Sequence, residues 1–351
     1  MRRFSQRQPG PRINRSELVM VAVMGQASSQ LAAANPYRIG QDGRPRVLPG
    51  PGGIVLSHRV GDACVGLAAD HVEPGVSLRN EQSSIKGERG GANLALQSLA
   101  CIGNQARVVT GRAAGAIGTV TGKHGGIDTV LVDFPQRTLR RLAVGDRIQI
   151  WAHGQGLRLL DHPGITAMNI APRFLARWRP PSTGASTGGR LVVGVTHLVP
   201  AALMGSGLGR NDAVRGDHDI QLFDAATVRR YRLGSLRFGD LVAIVDADHR
   251  FGRSWRRGHV AIGCVVHSES SVAGHGPGVT TLLTGAASRF VLRHDANANI
   301  ASILGLRRPA TPRNVLPLAL REAAWRRGVS TRPSPPVASA AIDRRLLHVR
   351  L

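Results

Sequence analysis

Cysteine is scarce: Cys64, Cys101 and Cys264 are far apart and form no CxxC pair. That argues against a disulfide framework or a zinc ribbon and fits a reducing, cytoplasmic compartment. Aromatic residues are only 4% of the chain, so alanine and aliphatic β-branched side chains must fill the interior. Lysine is almost missing, with Lys86 and Lys123 the only two among 46 basic residues. The apolar run Leu18 to Met24 stops at Gly25-Gln26, well short of a membrane span, and reads as a first strand. Pro11, Asn14 and Glu17 separate it from the leading arginines, which does not suit a twin-arginine leader, and no membrane partner is expected. MGSGLG at 204–209 misses the spacing of GxGxxG, which argues against a dinucleotide loop.

What is present is arginine, glycine and short apolar runs. The formal charge of +24 points toward nucleic acid as a partner. Its distribution weakens that reading, because eight arginines face only Glu17 and Asp42 within residues 1–49, and ten face Glu322 and Asp343 beyond residue 300. Nucleic acid is therefore expected to meet the basic tails, and a small-molecule substrate or a second copy of the chain to meet the rest.

The 43 glycines and the Gly/Asp/Pro-bounded apolar runs predict a mainly β (α+β) protein, with two units of small barrel-like or sandwich modules and few short helices. The expected layout is a disordered basic tail over 1–16, an N-terminal β domain over 17–180, a linker over 181–190, a C-terminal β domain over 191–305, and a helix plus disordered basic tail over 306–351. Only 92–100 and 316–327 read as helices. A Gly-Asp step recurs in VGDACVGLA (60–68), VGDRIQIWA (144–152) and FGDLVAIVDAD (239–248), each expected to turn into a strand. Within 105–152, the spacing of Gly111, Gly115 and Gly118 between apolar pairs resembles the KOW motif of SH3-like barrels, which implies a tightly curled module beside RNA or protein. The stretch 107–134 lacks the interleaved aromatics that stack bases.

Two loops carry the polar chemistry. Ala69-Asp70-His71-Val72-Glu73-Pro74-Gly75 puts His71 and Glu73 on one face of an extended strand, where both could ligate one divalent ion or act as a base and its orienting partner, with Asp70 in support. In the second half, His267 ends an apolar strand and His275 stands in Gly274-His275-Gly276-Pro277-Gly278, where glycines let backbone approach a ligand. His124, in the loop KHGG, is a further catalytic residue to set beside His71, Glu73, Asp70 and His275. The expected metal set is His71, Glu73, His275 and His267, holding zinc, manganese or magnesium. Asp217 and Asp219 of GDHDI are additional oxygen donors. Arg250, Arg253, Arg256 and Arg257, mixed with Phe251 and Trp255, form the most nucleic-acid-like patch.

In order, LPGPGGI, VGD, DHVEPGVS, CIGN, GKHGGI, GQGL, MGSGLG, LRFGDLVAIVDAD, FGR and AGHGPGVT resemble the prokaryotic domain of unknown function 4438 family from about Leu18 to about Asn299. The resemblance implies no activity and transfers no catalytic residues. The functional expectation therefore rests on the loops: a metal-assisted hydrolase or lyase for a small polar substrate, or alternatively an RNA- or ribonucleoprotein-binding module.

Overall fold

The three Gly-Asp steps fold alike. In each, glycine takes a positive φ (Gly61 99°, Gly145 90°, Gly239 85°). The next aspartate closes the turn through its own N–H onto the carbonyl three residues back, at Arg59, Ala143 and Arg237. Its carboxylate also accepts the N–H of that same residue, at 2.9, 2.8 and 3.0 Å. A left-handed glycine followed by an acceptor side chain locks the turn from both directions.

The computed structural model describes residues 10–30, 37–80, 91–183 and 189–326. It is mainly β. The chain runs through β1 (Met20–Ala27), a hairpin of β2 (Tyr37–Ile39) and β3 (Pro45–Val47), then β4 (Val76–Arg79), α1 (Gly91–Leu99), β5 (Gln105–Val108), β6 (Ile117–His124), β7 (Thr129–Asp133), α2 (Gln136–Leu139) and β8 (Arg147–His153). Six of these strands close an antiparallel barrel in the order β1-β4-β7-β6-β5-β8. The segment 105–152 thus supplies four of the six strands, and β1 and β4 complete the barrel. Val76, Leu78, Val120, Val132, Ile148, Ile150 and Phe134 fill its interior. β5 and β8 alternate between buried and more exposed positions, as strands with one wet face do.

After β8 come β9 (Ile165–Ala167), α3 (Pro172–Trp178), β10 (Leu191–Val195), β11 (His197–Pro200), β12 (His218–Asp219), α4 (Ala225–Arg230), β13 (Leu241–Asp248), β14 (Ser254–Val265), β15 (Gly278–Ala286), β16 (Phe290–His294), α5 (Ile300–Leu304) and α6 (Leu318–Arg326). A second sheet has the order β11-β13-β14-β15-β12, with β9 also paired to β15, and β10 and β16 form a parallel ribbon. β9 belongs to the sequence before the expected 181–190 boundary, so the first half of the chain lends a strand to the second sheet. Nearly all of β6 and all of β7 are buried because that sheet lies against the barrel. There is no room for a side chain at Gly122, which faces Val266. The Thr280 hydroxyl donates to the Lys123 carbonyl at 3.0 Å.

Three expectations need correction. Residues 60–68 form no strand, because their backbone groups take separate partners: Cys64 N–H reaches Leu236 O, and the N–H groups of Gly66 and Leu67 reach the Glu269 carboxylate. Residues 10–16 dock instead of trailing as a disordered tail. Ile13 bridges Leu159, Arg12 pairs with Asp161 at 2.8 Å, and Asn14 donates to Gly156 O. Residues 306–318 are likewise anchored, through Arg307 to Asp62 at 2.8 Å and Leu318 N–H to Glu269 at 2.8 Å. The remainder of the expected tails, 1–9 and 327–351, and linker residues 184–188 lie outside the described residues.

Candidate metal centre

The seam between barrel and second sheet collects the polar loops. Residues 69–75 do not run as the extended strand that would pair His71 with Glu73. His71 sits at φ +59°, a conformation costing a non-glycine residue on the order of 1 kcal/mol or more unless its surroundings fix it. They do. His71 N–H donates to Glu269 O at 3.1 Å, Ser268 N–H donates to Val72 O at 2.9 Å, and Val72 N–H donates to the Ser268 hydroxyl at 2.9 Å. The left-handed residue swings the His71 ring beside those of His267 and His275, with centroids 5.0 and 4.9 Å away. His124, the last residue of β6, stacks on His267 at 4.1 Å.

The short strand β12 and Asp217 just before it supply the carboxylates. Successive strand residues alternate faces, so Asp217 and Asp219 point to the histidines, while His218 turns away and meets His249 edge-on at 4.8 Å. Two groups of three ligand atoms result, each within 4.8 Å of one another and each able to hold a metal ion: His71, Asp219 and His275, and His124, Asp217 and His267. In the first, His71 Nε2 and His275 Nδ1 are 3.0 Å apart, and Asp219 Oδ2 lies 3.6 and 3.1 Å from them. In the second, His267 Nε2 lies 2.7 Å from Asp217 Oδ2. Asp219 Oδ1 reaches across to His267 Nε2 at 3.5 Å.

Behind the rings stands a layer of acceptors. Asp70 accepts from His71 Nδ1 and from the hydroxyls of Ser270 and Ser271. Glu73, fully buried, accepts from His124 Nδ1 at 2.7 Å, Thr129 Oγ1 at 2.5 Å, Gly52 N–H at 2.8 Å and the Ser77 hydroxyl. His267 Nδ1 faces Ser268 O at 3.0 Å. An acceptor on Nδ1 leaves the Nε2 lone pair free to face the centre, the arrangement that orients metal-binding histidines.

Burial works against charge at Asp219, Asp217, His267 and His71, yet attraction to their neighbours overrides it. Hydrogen bonds from His267, His275 and His71 hold Asp219 well below the usual carboxylate range, and the charges of His124 and His267 hold Asp217 below it. His267 is pushed well above the ordinary imidazole value by Asp217, and His71 is raised by its bonds to Asp219 and Asp70. Asp217 Oδ2 and His267 Nε2 make their ion pair at 2.7 Å outside hydrogen-bond geometry, and neither atom has a hydrogen-bond partner among the described residues. Gly278, the first residue of β15, abuts both atoms, so that any side chain there would collide with them.

A cavity of about 300 Å³ opens over this centre. His71, His124, Asp217, Asp219 and His275 line it together with Arg38, Arg210, Arg215 and Arg253.

Of the residues expected to ligate, His71 and His275 share one group and His267 falls in the other. Glu73 is in neither, because both its oxygens are committed behind His124, and it orients a ring instead. Asp70 has the same role behind His71. The loop at 248–260 departs furthest from its expected role. Arg250 and Arg256 both pair with Asp248, Arg253 is buried, and only Arg257 beside Trp255 remains of the basic patch. Asp217 and Asp219 were legible as oxygen donors through the D-x-D alternation of GDHDI. Nothing in the sequence marks Arg38 and Arg210 as neighbours of these histidines.

A closed barrel packed on a second sheet, with two histidine-aspartate trios under an arginine-walled cavity at the seam, defines a mainly β protein with a built polar site. The chain belongs to the DUF4438 family: residues 37–176 match its N-terminal domain of unknown function and residues 183–304 its C-terminal one. Among solved structures it is similar to the crystal structure of TM1086, with 40% identity and a TM-score of 0.76 over 83% of this chain and 98% of that one. Comparison with curated proteins returned no match.

Proposed function

We propose that the chain is a divalent-metal-dependent hydrolase acting on a small polar substrate. One ion would be held by His71, His275 and Asp219 and a second by His124, His267 and Asp217. The observation that carries the reading is the position of Asp219. One oxygen faces His71 and His275 and the other faces His267, so a single carboxylate joins two ligand sets, each built from a pair of histidines and an aspartate. Three protein ligands leave a tetrahedral ion one open position, as catalysis requires. Imidazole-rich sets favour zinc, or manganese through the carboxylates, over magnesium. Bound there, paired ions would supply Lewis acidity and activation of water, which favours hydrolysis over elimination. The protein's own part is to fix the rings through Asp70 and Glu73, to hold Asp217 Oδ1 on the Gly125 N–H at 2.8 Å, and to admit only molecules that the cavity can take.

A purely structural cluster of ion pairs would need no cavity and would close its pairs with hydrogen-bond geometry. The pair of Asp217 Oδ2 and His267 Nε2 at 2.7 Å lacks that geometry, and a cavity opens over the cluster. The alternative, an RNA-binding role, loses support at residues 248–260, where the arginines are paired or buried. Elemental analysis of purified protein tests the metal reading. Wild type should carry about two divalent ions per chain, and His71→Ala and His267→Ala should each lose at least one. Wild-type protein that takes up neither zinc nor manganese would refute it.

A further inference from the structure

The walls of the cavity carry charge that its floor does not use. Asp70, Glu73, Asp217 and Asp219 supply four negative charges, which balance two divalent ions. The arginines are left over. Arg215 pairs with Asp212 at 2.6 Å. Arg253 is only 1% exposed, yet its guanidinium forms no ion pair with a carboxylate among the described residues: it donates to the carbonyls of Gly207 at 3.4 Å and Arg215 at 2.9 Å, and its Nε has no hydrogen-bond partner among them. A buried, unpaired cation is costly and calls for a counter-charge. Arg38 lies near enough to Asp70 to help hold that carboxylate ionised but forms no ion pair with it. Arg210 pairs with no carboxylate among the described residues. Against these three guanidiniums the lining offers one further acid, Asp128.

Resting on the metal reading above, we infer that the substrate is a small phosphate ester whose phosphoryl group seats between the two trios and Arg253, Arg210 and Arg38. Guanidinium forks match phosphoryl oxygens in geometry and charge. A carboxylate has two oxygens and cannot satisfy three guanidiniums and two ions together, whereas a phosphoryl group presents three non-bridging oxygens. The reaction then balances with water alone: the water oxygen forms a bond to phosphorus and the ester P–O bond breaks. One water proton stays on the released phosphate and the other goes to the leaving alkoxide, giving the alcohol.

Calorimetric titration of manganese-loaded protein with inorganic phosphate, and with malonate as a dicarboxylate control, tests the inference. Phosphate should bind at least tenfold more tightly than malonate. Arg210→Gln and Arg38→Gln, both outside the packed core, should each weaken phosphate by about tenfold or more, the worth of a charge-assisted hydrogen bond, with metal content unchanged. Phosphate binding that ignores both substitutions, no phosphate binding to metal-loaded protein, or malonate binding as tightly would each overturn it. If the protein takes up no metal, phosphate titration of the metal-free chain separates the two readings. Binding that still depends on Arg210 and Arg38 upholds the anion site while the metal reading falls, and its absence ends both.

Discussion

Replacing Glu73 by glutamine changes almost no volume and isolates what the buried carboxylate does. Glu73 accepts four hydrogen bonds, from His124 Nδ1 and Thr129 Oγ1 on one oxygen and from Gly52 N–H and the Ser77 hydroxyl on the other. A glutamine must turn its NH2 toward one of these pairs. Facing Gly52, it opposes an amide N–H that cannot rotate. Facing His124, it forces the ring into the other tautomer and puts a proton on Nε2, where a lone pair is needed. The first choice leaves one buried amide unsatisfied, a cost of about 1–3 kcal/mol. The His124 ring keeps its orientation but loses its anionic partner, which typically weakens metal binding by about 10- to 100-fold. Glu73→Gln should therefore lower the urea midpoint of metal-free protein modestly and weaken zinc in a chelator competition by that factor. Glu73→Ala, which strands all four donors, should do worse in both assays. A glutamine variant with wild-type zinc affinity would show that Glu73 does not orient His124 for a metal, and an unchanged midpoint would show that the four-bond network is not stabilising.

Other consequences are equally direct. Gly278→Ala places a methyl against Asp217 Oδ2 and His267 Nε2, so elemental analysis should show the loss of at least one ion per chain while far-UV circular dichroism stays unchanged. His197 is buried, and desolvation holds its pKa at about 3. The unfolded chain takes up a proton below about pH 6.5 and the folded one does not, so stability is present above that pH and falls with acid, by about 2 kcal/mol from this group between pH 7 and 5. His197→Gln should flatten that part of the urea-midpoint profile, and an unchanged slope would count against the assignment. Arg237 and Asp240 form a buried pair at 2.8 Å; Arg237→Ala leaves the carboxylate uncompensated and should cost about 3–5 kcal/mol in equilibrium unfolding, with Arg237→Ala/Asp240→Asn recovering part of it.

Local chemistry was legible in the sequence, and assembly was not. Gly61-Asp62, Gly145-Asp146 and Gly239-Asp240 announce their turns because glycine conformation and an aspartate acceptor are both local properties. Whether a strand follows is decided elsewhere: residues 63–68 have the composition of a strand, but the Glu269 carboxylate and Leu236 O take their backbone N–H groups first. The site shows the same division. His71, His267 and His275 are visible as histidines in glycine- and turn-rich surroundings, but what pairs them is sheet register. His218 aligns with Val279, and Asp219 with Gly278, which brings β12 alongside the start of β15 and sets both aspartates against His267. The two-residue spacing of His71 and Glu73 implies a shared face only on an extended strand, and it fails here because His71 is itself left-handed. That backbone turns the His71 ring to Asp219 while Glu73 goes under His124, so one short motif serves both trios, one as ligand and one as support.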